Sequence, residues 1–291
     1  MKYYYELTKS GLVFGNLITV LAGFALGAGL AGVPIDAWRL LAALAGMALI
    51  MASGCVFNNY IDRDIDVKME RTRHRALVAH KISGRAALIF ASVLGAAGFF
   101  ILIFYLNILT ALTALTGFIF YVFVYSLWGK RRTVYGTFIG AIAGATPPVV
   151  GYAAASGRID VAAAILFLIM MAWQMPHFFA IAIRRKDDYA AAGIPVMPVS
   201  RGLRRTKVSM AIYIIEFILA AALLTVLGYT GTVYLVIALV LGVVWLGVSI
   251  RGFWLPDGAP AVNERWARQM FFLSLIVMVV LFITITVGVV I

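Results

Sequence analysis

Apolar runs of about twenty residues recur along almost the whole chain, and no other feature limits its fold so strongly. Coiled as an α-helix, a run of that length spans the ~30 Å hydrocarbon layer of a bilayer. Nine such runs can be placed, at 11–31, 36–57, 84–105, 108–128, 134–156, 160–183, 207–229, 232–251 and 266–290. Backbone amides cannot stay unpaired in lipid, so each run must close its hydrogen bonds internally as a helix. The expected fold class is an all-α polytopic membrane protein, read as a single domain over 1–291. The chain is 64% hydrophobic and only 12% charged, which excludes an ordinary soluble domain.

The charges between the runs carry direction. Of 24 Lys and Arg, only Arg39 and Arg158 fall on the side of the short turns near Gly32, Leu106, Gly157 and Tyr229. The other side receives Lys2, Lys9, the 58–83 loop, Lys130-Arg131-Arg132, the 184–206 loop and the 252–265 segment. The positive-inside rule then places the N-terminus and both long loops in the cytoplasm and the C-terminus outside. The net charge of +12 is thereby a mark of topology, and nucleic acid is not expected as a partner. The first run is long and follows a short, tyrosine-rich segment, so it is read as a retained helix rather than a cleaved signal. One cysteine, Cys55, excludes an internal disulfide framework and a cysteine-based zinc site, and its apolar run makes it a packing residue. Gly136-x3-Gly140-x3-Gly144 reads as close helix packing, and Pro147-Pro148 predicts a kink in the fifth span.

Chemistry concentrates where the second run ends. Asn58, Asp62 and Asp66 follow it at i, i+4 and i+8, with Asp64 between. Residues four apart share a helix face, so these side chains form an oxygen-rich stripe at a membrane edge. A chain with 12 acidic residues places three of them here within five positions. Clustered carboxylates repel unless a cation joins them, and hard oxygen ligands in an incomplete cage suit Mg²⁺ shared with phosphate. A calcium loop fails, because its sixth and twelfth positions would be Val67 and Arg73. A solvated charge run pairing with Arg63, Lys68 and Arg71 is the bland alternative. Directly after the stripe come Lys68, Arg71, Arg73 and Arg75, with Arg71 and Arg75 on one face as diphosphate contacts. Lys130, Arg131 and Arg132 form a weaker cluster that topology alone would explain.

A second string, Trp173-Gln-Met-Pro-His177-Phe-Phe179, leads to Arg184, Arg185, Asp187, Asp188 and Tyr189. His177, Arg184 and Asp188 fall on one helical face. An intramembrane histidine needs a partner, and it could be a general base, a haem ligand or a core histidine bonded to a carbonyl. Spacing favours the last. Asp188 could hold a second metal or pair with Arg184. Asn16 lies inside the first span and could face the same cavity, Glu216 stands alone in the seventh, and Tyr121 and Tyr125 could line a channel.

These strings resemble the UbiA superfamily of intramembrane prenyltransferases. Asn58-Asn59-x-x-Asp62-x-x-x-Asp66 is similar to its N-D-x-x-D-x-x-x-D signature, with Asn59 in place of an acid. Gly54 through Asp66, Met69-Glu-Arg-Thr72, Gly140-Ala-x-x-Gly-Ala-x-Pro-Pro148, Trp173 to His177 and Asp188-Tyr189 resemble the haem-farnesylating branch, and the likeness runs from about Thr8 to Arg268. The resemblance implies a nine-helix bundle around a central cavity, in a bacterial inner membrane. It implies transfer of a farnesyl group from farnesyl diphosphate to the 2-vinyl group of haem b, giving haem O and pyrophosphate. Mg²⁺ would be the cofactor, held by Asn58, Asp62 and Asp66, and haem b a substrate. Lys68, Arg71, Arg75, Lys130, Arg184 and Arg185 would meet the diphosphate. Asn16, Tyr121, Tyr125, Trp173 and His177 would line the substrate cavity, with His177 a base or haem contact. A haem A synthase or a terminal oxidase would be assembly partners. The family's second acidic motif, D-x-x-x-D, has Arg184 four residues before Asp188, so one or two Mg²⁺ stays open. Other acceptors, a quinone precursor above all, are the near alternative. A transporter would need polar groups at the midplane between broken helices, and a non-catalytic scaffold leaves the Asp stripe unexplained.

Overall fold

Each apolar run forms a helix, and the turns between them supply the residues that end it. The computed structural model describes residues 2–290. Its helices, in chain order, are α1 (Lys2–Leu7), α2 (Ser10–Ala31), α3 (Ala37–Ile61), α4 (Arg63–Asp66), α5 (Gly84–Tyr105), α6 (Ile108–Arg132), α7 (Gly136–Ser156), α8 (Val161–Arg184), α9 (Lys186–Ala191), α10 (Met197–Ser200), α11 (Leu203–Val226), α12 (Thr232–Arg251) and α13 (Pro260–Val290). Nine of these, among the described residues, are long and apolar enough to cross a membrane. At the end with short turns, Asp36, Asn107 and Asp160 accept hydrogen bonds from first-turn amides of α3, α6 and α8, satisfying donors that lipid could not. Gly32 and Gly157 end α2 and α7 in left-handed geometry, at φ 64° and 69°.

The helices close into a ring. α3 packs along α5, α2 along the second half of α7, and α8 along α11 and α13, while α13 returns to α2. α2 and α7 touch backbone to backbone. A Cβ on Gly23 would collide with the Pro148 carbonyl, and one on Gly151 with the Val20 carbonyl. Expected break and observed break coincide in α7, which is interrupted at Ala145 so that Pro147 and Pro148 sit in the first turn of its second half. There their missing amides cost no hydrogen bond.

Hydropathy located the spans but not all the helix ends. α11 and α13 begin at Leu203 and Pro260 rather than 207 and 266. Arg204, Arg205, Glu264 and Arg265 continue the helices beyond the apolar slab, so hydropathy marks the membrane and not the hydrogen bonding. One local feature has no sequence signal. Residues Phe120–Gly129 of α6 form a π-helix, a rare widening that recurs at functional sites. The Ser126 hydroxyl donates to the Tyr121 carbonyl at 2.8 Å, five residues back.

Candidate active site

The end of α3 does not fray into solvent. It continues through Asp62 into α4, with the Asp66 amide donating to the Asp62 carbonyl at 2.8 Å. Asn58, Asp62 and Asp66 thereby keep one face and line a single cavity of about 320 Å³. Both carboxylates are buried, at 0% and 1% exposure, which is tolerable only with charge partners. Lys130, on the turn after the π-helix, donates to Asp62 Oδ2 at 2.5 Å, and Asn58 Nδ2 donates to the same oxygen at 2.9 Å. Arg75 donates to Asp66 Oδ2 at 2.6 Å. The second oxygens, Asp62 Oδ1 and Asp66 Oδ1, are buried without a hydrogen-bond donor among the described residues, with the Arg131 guanidinium 3.8 Å from Asp62 Oδ1.

Four cations, Lys9, Arg71, Arg75 and Lys130, line this cavity against the two carboxylates. The excess of positive charge suits an anionic ligand. Lys9 donates to Asn58 Oδ1 at 2.7 Å. Burial brings its ammonium down to about 8, and the charges of Arg75 and Lys130 add to that shift. Tyr189 and Tyr125 complete the polar wall, and burial pushes the Tyr189 phenol up. Asp64 turns outward to a two-pronged pair with Arg131, 2.7 Å on each side, and those bonds hold its carboxyl below the usual range.

Beneath lies an apolar cavity of about 350 Å³ whose lining includes Asn16, Met47, Ile50, Trp173, His177 and Phe271. The two cavities share Leu12, Tyr121, Gly140, Phe178 and Ile181 and so meet. His177 is sandwiched between Trp173 and Phe271, with ring centroids 4.9 Å and 4.8 Å away. Its Nδ1 lies 2.8 Å from Ser274 Oγ. The Ser274 hydroxyl donates its one proton to the Phe271 carbonyl at 2.6 Å, so His177 must donate from Nδ1. Nε2 is left as the acceptor, with no hydrogen bond among the described residues. The expected carbonyl partner of a core histidine is thus replaced by a hydroxyl, and the ring faces a cavity.

Of the sequence candidates, the structure brings Asn58, Asp62, Asp66, Arg71, Arg75, Lys130 and Tyr125 to the charged cavity. Asn16, Trp173 and His177 reach the apolar one, and Tyr121 reaches both. Asn16 bonds its own helix at the Leu12 carbonyl. Lys68, Arg184, Arg185 and Asp188 line neither cavity. Lys68 is exposed. The Arg184 guanidinium lies 5.6 Å from the Phe271 ring centroid. Asp188 accepts from the Glu70 amide at 3.1 Å and ties the two long loops together. The helix ends at Arg184 and restarts at Lys186, so the one-face spacing of His177, Arg184 and Asp188 is broken at Arg185. Asn58 presents its amide to Asp62 and its carbonyl to Lys9, rather than a free oxygen to the cavity. Residues not foreseen include Lys9, whose partner is 49 positions away, and Ser126, which accepts from Asn58 Nδ2 at 3.0 Å. No sequence signal marks either one.

The UbiA prenyltransferase family pattern matches residues 16–287. A protoheme IX farnesyltransferase of Klebsiella pneumoniae is 49% identical over 276 residues, covering 94% of this chain and 90% of that one. Another, of Yersinia pseudotuberculosis, is 49% identical over 277 residues, covering 95% and 91%. Among solved structures, a digeranylgeranylglyceryl phosphate synthase superposes with a TM-score of 0.79 at 18% identity, over 99% of this chain and 98% of that one. A UbiA homologue from Archaeoglobus fulgidus bound to DMAPP and Mg²⁺ gives 0.66 at 17% identity, over 94% and 98%. Fold, site motifs and near full-length similarity agree: this chain belongs to the UbiA prenyltransferase family.

Proposed function

We propose that this protein transfers the farnesyl group of farnesyl diphosphate to the 2-vinyl group of haem b, giving haem O and pyrophosphate. The observation that carries the reading is the junction of two unlike cavities. A cationic chamber at the membrane edge opens into an apolar chamber with a histidine between aromatic rings. A diphosphate with a long apolar tail fits across that junction, and the haem acceptor follows from the named relatives at 49% identity. The whole chain is read as one catalytic unit, with the site end facing the cytoplasm by the charge asymmetry.

The residues present fit a divalent cation. Asp62 Oδ1 and Asp66 Oδ1 are buried acceptors without donors, and oxygen ligands suit Mg²⁺. Asp62 and Asp66 would hold it, with Asn58 after a turn of its amide. Bound there, Mg²⁺ would act as a Lewis acid on the diphosphate. Arg71, Arg75, Lys130 and Lys9 neutralise the remaining diphosphate oxygens, so that the allylic C–O bond breaks toward preorganised positive charge. Tyr121 and the apolar lining keep water from the farnesyl cation. The new carbon–carbon bond forms at the terminal vinyl carbon. Water then adds to the cation next to the porphyrin ring and releases one proton. His177 lines this chamber, and its acceptor Nε2 would contact haem or take that proton. A haem A synthase or a terminal oxidase would be the consumer of the product.

The test is a product assay in lipid with haem b, farnesyl diphosphate and Mg²⁺. Haem carrying a hydroxyethylfarnesyl group, lost on chelation, is the expected result. No such product from folded protein, with turnover of a quinone precursor instead, would overturn the acceptor assignment.

A further inference from the structure

On the outer wall, at the same end of the bundle as the charged cavity, a groove of about 590 Å³ runs between α12 and α13. Arg265, Arg268, Phe272 and Ile276 stand at i, i+3, i+7 and i+11 on α13 and share one face. Val248 and Arg251 face them from α12. Three arginines therefore line one end of the groove. Arg251 donates to Gln269 Oε1 at 2.6 Å, and the Arg268 guanidinium lies 5.8 Å from the Phe272 ring centroid. None of the three forms an ion pair among the described residues. The neighbouring acids do not serve them. Asp257 is bound to Lys207 at 2.9 Å, and Glu264, one turn from Arg268, is in no ion pair among the described residues.

Deeper along the groove the lining is apolar, with Phe272 51% and Ile276 54% exposed. From Arg268 to Ile276, α13 descends about 12 Å at 1.5 Å per residue, most of the ~15 Å hydrocarbon depth of one leaflet. We propose that this groove is a binding site for an acidic phospholipid. The anionic headgroup sits among Arg251, Arg265 and Arg268, and an acyl chain lies along Val248, Phe272 and Ile276. Topology requires only that positive charge stand on this side of the membrane. It does not require three arginines without an acidic partner to line one groove with an apolar floor, which is the chemistry of headgroup recognition. The site is separate from the catalytic cavities and does not depend on the acceptor assignment.

Native mass spectrometry of the purified protein, titrated with phosphatidylglycerol or phosphatidylcholine, tests this. The wild type should retain one phosphatidylglycerol in preference to phosphatidylcholine, and inorganic phosphate should not displace it. The combined Arg251→Gln, Arg265→Gln, Arg268→Gln variant should bind on the order of 100-fold more weakly. An Arg201→Gln, Arg205→Gln variant removes charge from another basic groove at this end and should bind as the wild type does. Should the triple variant fail to fold, Arg268→Gln alone should lose roughly fivefold. No preference for phosphatidylglycerol, displacement by phosphate, or equal losses in both charge-reduced variants would overturn the proposal.

Discussion

Loop 58–83 sends Asp62, Asp66, Arg71 and Arg75 into the charged cavity, whereas loop 184–206 sends Tyr189, Ile194, Pro195 and Val196. Both follow a long spanning helix, and both mix acidic with basic residues. Their burial separates them. Asp62 and Asp66 are at most 1% exposed, while Asp187 is exposed and Asp188 only half-buried. The difference begins with the helix ends. α3 runs on through Asp62 into α4 and keeps its carboxylates in register, but α8 breaks at Arg185, and Asp187 and Asp188 beyond the break line neither cavity. Ile65 and Met69 then pack against Ala192 and Ile194, making the second loop a wall held against the first. Alike in composition, one loop brings charge to the site and the other closes it.

The sharpest way to break this comparison is to neutralise one carboxylate in each loop. Asp62→Asn keeps the shape but removes the charge that Lys130 and a metal would share, and turnover should fall on the order of 10³-fold. Asp188→Asn should cost less than tenfold. Steady-state product formation in lipid, with circular dichroism to confirm folding, decides it. Equal losses would mean that both loops carry catalytic charge.

Next in size are the cations. Arg75→Gln and Lys130→Met each remove one cation that the proposed function sets against a leaving diphosphate and should slow turnover roughly 100-fold. Arg184→Gln, outside the cavity, should stay near wild type. Titration of each variant with farnesyl diphosphate separates weakened binding from slower chemistry. A large loss at Arg184 would return the second loop to the diphosphate.

A third substitution contrasts the two cavities rather than the two loops. His177→Ala leaves the charged chamber intact, so diphosphate binding should hold while haem-dependent turnover falls about tenfold or more. Calorimetry with farnesyl diphosphate beside the product assay makes the split visible. If both readouts fall together, His177 supports the bundle instead of the acceptor.

How much of this was legible follows from which interactions are local. Nine spans, their turns and the Pro147-Pro148 break are written in runs and punctuation, because lipid forces each run to satisfy its own backbone. The stripe was legible because four-residue spacing survives wherever a helix continues, as it does from Asn58 to Asp66. The same spacing fails for Asp188, because the helix that carries His177 and Arg184 ends before it, at Arg185. Lys9 and Ser126 were invisible for another reason. Lys9 meets Asn58 across 49 positions, from a left-handed backbone at φ 50° that is uncommon for lysine. Ser126 reaches Asn58 through a π-helix that no propensity marks.

The smallest expected effect tests what joins the loops. Asp188 accepts one hydrogen bond, from the amide of exposed Glu70 at 3.1 Å. Losing such a bond costs about 1 kcal/mol, because water replaces the carboxylate on one side. Asp188→Ala should therefore leave global unfolding almost unchanged. Its effect should appear locally, since Glu70 adjoins Met69, which packs on Ala192 and Ile194, and Arg71, which lines the cavity. Hydrogen exchange should quicken at Glu70 and through loop 184–206, with turnover down two- to threefold, on the order that about 1 kcal/mol allows. Unchanged exchange would show that the hydrophobic cluster alone holds the wall, and that Asp188 has some other duty. A loss rivalling that of Asp62→Asn would instead place Asp188 at the chemistry, and the division between the loops would collapse.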